Sequence, residues 1–186
     1  MSEQALYKNL MMLGAGVEVC LEQKRIAPAL ILLYSAIDTT GWLDSAERDA
    51  TRASFLQWVD SYLLKVKPLA CTSLDLYAAR CGLLHTFTPD SRLSIEGKAR
   101  RICYAWGTAS VQNLQRTIDL MNKSSEIVAV HVNELYEGWR LGLSAFVTEL
   151  ESDLTRKARV YEKAGKFFGE LGIDAVESAV RVLEKR

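Results

Sequence analysis

The apolar positions of residues 1–90 fall at helical spacing and stop at clear breaks. Leu6, Leu10, Leu13, Val17 and Leu21 recur every three or four residues, which predicts an amphipathic first helix. Pro28 suits the first turn of a second helix running to about Leu43. That helix is apolar nearly all round from Ala29 to Asp38, so it is expected at the buried centre of a bundle. Asp44 with Glu47 has capping-box spacing and is expected to open a third helix through Phe55, Trp58, Val59 and Tyr62, which Lys67-Pro68 ends. Thr72 with Asp75 repeats the pattern ahead of a fourth helix. Pro89 disfavours helix at Thr88, which puts His85 in that helix's last turn.

The pattern changes after residue 90. Ile102, Tyr104 and Trp106 alternate with smaller or polar residues, and Glu126 to Val132 is rich in β-branched side chains, so both stretches read as strands. Between them Val111, Leu114, Ile118 and Met121 keep helical spacing. Leu135, Trp139, Leu143, Phe146, Leu150 and Leu154 mark one long helix. Gly169 and Gly172 break the chain, and Asp174 with Glu177 opens a short terminal helix. The expected fold is mainly α, with a small two-stranded β element in the second half. It is a single domain over residues 1–186: a four-helix core in 1–90, then the β element and long helices in 91–186.

Composition narrows the function classes. An apolar share of 49% with 25% charged residues suits a packed domain and argues against disorder. The net charge is zero, so any nucleic-acid contact has to come from a local patch. Cys20, Cys71, Cys81 and Cys103 show no CxxC spacing, which argues against a zinc site or redox pair. They read as reduced thiols of a cytoplasmic protein. The longest uncharged apolar stretch, Ile26 to Ile37, is too short to span a bilayer, so no membrane association is expected.

The candidate chemistry lies in Arg80-Cys81-Gly82-Leu83-Leu84-His85. Arginine is a permanent cation whose planar fork suits phosphate, and histidine trades protons near neutral pH. Such a pair can bind a phosphodiester and move protons around it with no metal and no cofactor. Five residues along a helix turn the side chain by ~500°, so the two are expected to point ~140° apart. Fraying at Thr86–Pro89 would bring them together, as would two copies meeting across a twofold axis with Gly82 permitting close approach. A plainer reading pairs Arg80 with Asp38, the one charge between Arg25 and Asp44, and leaves His85 capping its helix.

The stretch from Asp75 to His85, late in a helical bundle, resembles the signature of the HEPN superfamily, whose members carry Arg, four to six residues, then His on one helix. The resemblance spans Leu6 to His85 in helix order and implies an antiparallel helical bundle. It implies metal-independent endoribonuclease activity, often in toxins or defence effectors, with a site composed across a homodimer. Arg80 would stabilise the phosphate and His85 would transfer protons, leaving a 2′,3′-cyclic phosphate. Cys81 stands where the nuclease members usually carry a polar residue. The alternative is therefore a non-catalytic interaction or nucleotide-binding module, such as an antitoxin or defence-complex partner.

Other residues fill out the expected site. Asp38 would aim Arg80, and Tyr77, on the same helical face as Arg80, would stack a base or pack in the core. Arg92, Lys98, Arg100 and Arg101 form a basic stretch that would hold an RNA backbone, or else a solvated loop. His131 is expected to be structural. The run from Arg156 through Lys166 is expected to be an exposed helix face or a partner surface.

Overall fold

The computed structural model describes residues 2–167, 177 and 180–183. Among these the chain is mainly helical with a two-stranded sheet. The helices are α1 (Ser2–Glu22), α2 (Ile26–Asp44), α3 (Arg52–Trp58), α4 (Leu64–Val66), α5 (Ser73–Thr86), α6 (Arg92–Ile95), α7 (Val111–Leu120), α8 (Val132–Leu150) and α9 (Leu154–Ala164). The strands are β1 (Arg101–Ala105) and β2 (Ile127–His131). A π-helical turn, Val59–Leu63, joins α3 to α4 without a break in the helical path. Gly169, Gly172 and Asp174, expected to break the chain and open a terminal helix, lie outside the described residues.

The central helix is α2, as its pattern predicted. Leu33, Tyr34, Ala36, Ile37 and Leu43 are fully buried in it, and α1, α3, α5, α8 and α9 all pack on it. Its full 19 residues are long and apolar enough to cross a membrane by length and composition, although Ile26 to Ile37 alone is too short. In this molecule that apolar surface is spent on the core. The core runs unbroken from Leu6 and Leu10 in α1 through Trp58 and Leu63 to Trp139 and Phe146 in α8 and Val160 in α9. Both halves of the chain therefore share one apolar interior.

The strands pair in parallel, Arg101 opposite Ile127 and Ala105 opposite His131, with α7 as the crossover. Parallel neighbours need such a connection, since a tight turn cannot reverse the chain twice. Trp106 lies past the end of β1 and is exposed.

Two boundaries differ from the sequence pattern. Asp44 ends α2 instead of capping α3. The α3 cap is Thr51, whose hydroxyl accepts from Ser54 N at 3.1 Å while Ser54 Oγ accepts from Thr51 N at 3.0 Å. The long helix after Asn133 is also two helices. Asp153 caps α9 by accepting from Arg156 N at 2.9 Å, which leaves Leu154 on the surface, 76% exposed. The caps expected at Thr72 and Asp75 are in place: the Thr72 hydroxyl accepts from Asp75 N, and Asp75 Oδ2 accepts from Thr72 N. His131 is structural, its Nδ1 accepting from Asn133 N at the start of α8.

Candidate functional site

Arg80 and His85 stand on α5, and a capped end fixes where they point. Thr86 closes the helix with its hydroxyl on Gly82 O at 2.9 Å, and Phe87 turns left-handed at φ 54°. The end is not frayed. Arg80 nevertheless reaches His85: Nη1 donates to His85 Nε2 at 3.0 Å. The ~140° separation measured at the helix axis is closed by the length of the arginine side chain.

A guanidinium only donates, so Nε2 is the acceptor in this bond. Asp38, from α2, fixes the other side of the guanidinium. Its Oδ2 accepts from Arg80 Nε at 2.7 Å and from Nη2. The two side chains are 20% and 18% exposed, while His85 is on the surface. Burial pulls the Arg80 pKa down, but bonds to Asp38 and to Cys81 leave it raised. The cation is permanent here, and its direction is set by a carboxylate.

Tyr77 packs edge-on to Phe55 with ring centroids 5.4 Å apart and takes the Arg52 guanidinium over its ring. Burial, then Cys81 nearby, raise its hydroxyl pKa. It serves the core beside the Arg80 pair, with its ring already covered on both counts.

The basic stretch does not assemble around the pair. Arg92 and Lys98 both bind Glu96, at 2.6 and 2.7 Å, and together hold its carboxyl down at about 2. Arg100 is tied to Asp75 and Ala70 O at the opposite end of α5. Arg101 pairs with Asp90 and Glu126. Each cation already has a carboxylate, so a phosphate has to compete for it.

Gly82 also has a different role from the one its sequence position suggested. A Cβ there would lie 2.6 Å from Thr88 O and 2.7 Å from Asp90 O. The chain's own loop occupies the space, so a second copy cannot approach at this point.

A second polar cluster was hidden in the sequence. Arg156 bonds Asp44 at 2.6 Å, Glu149 at 3.4 Å and the Tyr62 hydroxyl, while Tyr62 donates to Glu149 at 2.6 Å. Lys163 is buried, its ammonium donating to the carbonyls of Trp42, Ser45 and Glu47. The run from Arg156 to Lys166 is thus only partly a solvated face. Asp44 and Arg156 are 112 residues apart, and no spacing rule links them. Among the described residues no group of three or more His, Cys, Asp or Glu side chains is placed to hold a metal.

No family model, curated protein or solved structure matches the chain.

Proposed function

We propose that the chain is a metal-independent endoribonuclease of HEPN type, an antiparallel helical bundle acting as a homodimer. The observation that carries this reading is the single unit of Asp38, Arg80 and a solvent-facing His85, joined by contacts of 2.7 and 3.0 Å. A purely structural pair would leave the imidazole packed against protein. In the proposed reaction Arg80 takes a non-bridging phosphate oxygen. Turning to the phosphate, Arg80 Nη1 would release Nε2 of one His85, which then accepts the proton of the ribose 2′-hydroxyl. The 2′-oxygen then bonds to phosphorus, the bond to the 5′-oxygen breaks, and a protonated His85 from the second copy supplies the proton to that leaving oxygen. A cleft of about 620 Å³ lies elsewhere on the molecule, and of the pair it is His85 that is exposed. A second copy would supply the missing wall, and Phe87 beside it, 66% exposed, offers apolar surface.

The test is incubation of purified protein with mixed RNA in EDTA, with end-group analysis. Cleavage leaving 2′,3′-cyclic phosphate is expected. His85→Ala should reduce it by ~10² to 10⁴ with far-UV circular dichroism unchanged. Arg80→Lys should also be severely impaired, because an ammonium cannot reproduce the fork. Cleavage that survives both substitutions would refute the assignment. A specific observation favours the alternative of a non-catalytic interaction or nucleotide-binding module, a partner in an antitoxin or defence complex. Arg80 already spends two donors on Asp38, and Cys81 adds no polar group of the usual kind. RNA that binds with no cleavage in EDTA would select it.

A further inference from the structure

A cleft of about 620 Å³ opens where the end of α2, the α3–α4 segment, α8 and α9 meet, on residues that the Arg80 site does not use. Its volume suits a small-molecule ligand. Asp44, Glu47, Glu149, Lys65, Arg156 and Arg159 supply the charges of its wall.

The charges in that wall are equal in number but unevenly paired. Arg156 serves Asp44 and Glu149 together, at 2.6 and 3.4 Å. Arg159 is half-buried and pairs with no carboxylate among the described residues. It makes one bond, Nη2 to Asp44 O at 3.2 Å, and its buried Nε has no acceptor. Lys65, also in the wall, has no ion-pair partner among the described residues. Behind the wall Lys163 is held by three carbonyls and the Ser45 hydroxyl, over the Trp42 ring. Lys65, Arg156 and Arg159 thus face Asp44, Glu47 and Glu149, three charges of each sign, but two of the carboxylates are taken by the one cation Arg156, and Arg159 makes a single bond. A guanidinium carries five N–H donors, and a single bond from Nη2 leaves donors other than the buried Nε for an anion.

We propose that this cleft binds a small polar molecule bearing an oxyanion, phosphate or carboxylate, which Arg159 and Lys65 hold. Ser54, Ser61 and Gln57 line the rest of the space and offer hydrogen bonds to the body of the ligand. The polar lining selects a hydrophilic molecule, and Arg159 and Lys65, the two wall cations with no carboxylate at ion-pair distance among the described residues, suit one oxyanion group. Arg156 keeps its three partners and acts as a fixed part of the wall.

Isothermal titration calorimetry on the full chain tests this with inorganic phosphate, glycerol 3-phosphate and succinate as probes. At least one should bind with a Kd on the order of 1 mM or tighter. Arg159→Gln and Lys65→Gln should each weaken that binding by ~10-fold, whereas His85→Ala should leave it unchanged. Binding of the two phosphates without succinate assigns a phosphate ligand, and the reverse assigns a carboxylate. No heat from any of the three probes overturns the proposal. So does equal affinity in wild type and both cleft variants. Lys65 is exposed, so Lys65→Gln decides the matter should Arg159→Gln fail to fold.

Discussion

At the scale of single residues, the partnership of Arg80 with Asp38 was legible because a lone charge in an apolar helix needs a counter-charge. Its geometry was not. Angles around a helix axis describe where side chains leave the backbone, and an arginine is long enough to cancel ~140° at its tip. Asp38 therefore has two jobs that one substitution separates. Asp38→Ala leaves a half-buried guanidinium unpaired, and unfolding stability should fall by about 1–3 kcal/mol. Asp38→Asn keeps the shape and loses the charge, so it should fold nearly as well. Under the proposed reaction its kcat for RNA should nevertheless fall, because Arg80 is no longer held in place beside His85. Urea unfolding read alongside cleavage rate distinguishes the two. Equal kcat in Asp38→Asn and wild type would leave Asp38 as a packing partner only. The cleft cations escaped the sequence reading for the opposite reason. Arg156, Arg159 and Lys163 sit in a charge run that looks like a solvated face, and only tertiary packing sets Arg156 against Asp44 and Lys163 beneath the α2 end.

At the scale of elements, helix positions followed from periodicity, while their ends depended on which of several capping residues won. Asp44 with Glu47 and Thr51 with Ser54 both precede the same apolar run. Thr51 wins because α2 runs on to Asp44, whose carboxylate is taken by Arg156, and a loop over residues 45–51 then leads to α3. The outcome is measurable. Thr51→Ala should cost about 1 kcal/mol, a fall of ~2–4 °C in Tm for a chain of this size. Glu47→Ala should shift Tm by no more than ~1–2 °C, since surface substitutions are usually within about 0.5 kcal/mol. A larger loss from Glu47→Ala than from Thr51→Ala would restore the first cap. The sheet direction was present in the sequence but undrawn. Two strands separated by a helical stretch, with no tight turn, form a strand–helix–strand unit, and such units pair in parallel. The π-turn at Val59–Leu63 left no sequence signal; it inserts where Gly142 of α8 brings its backbone against Tyr62 and Leu63.

At the scale of the whole molecule, the tyrosines join the elements, and their ionisation reports on that joining. Tyr34 of α2 and Tyr104 of β1 share a hydroxyl–hydroxyl bond in the interior, and burial raises both pKa values far above the ordinary 10.0. Tyr62 ties α8 and α9 to the π-turn, and burial followed by its bond to Glu149 pushes it up to about 12. Tyr136 of α8 holds Gly14 O and Glu18 of α1, and is raised to about 12 by burial and by Glu18. A group whose pKa is higher folded than unfolded contributes stability that is complete below the unfolded value and disappears as pH climbs through the folded one. These tyrosines should therefore make stability fall across the window from about pH 10 to about pH 12. Lys163 acts with the opposite sign: burial lowers its pKa, so its penalty is relieved as pH rises toward its ordinary 10.5. The net curve should stay nearly flat up to that point and then drop. Absorbance at 295 nm should show Tyr34, Tyr62, Tyr104 and Tyr136 ionising only with the loss of far-UV circular dichroism, in one cooperative step. Tyr62→Phe should make the decline in Tm between pH 10 and pH 12 shallower, since one of the four raised groups is gone. A full complement of ionised tyrosine at pH 11, with the helical signal intact, would show that these hydroxyls do not join the elements.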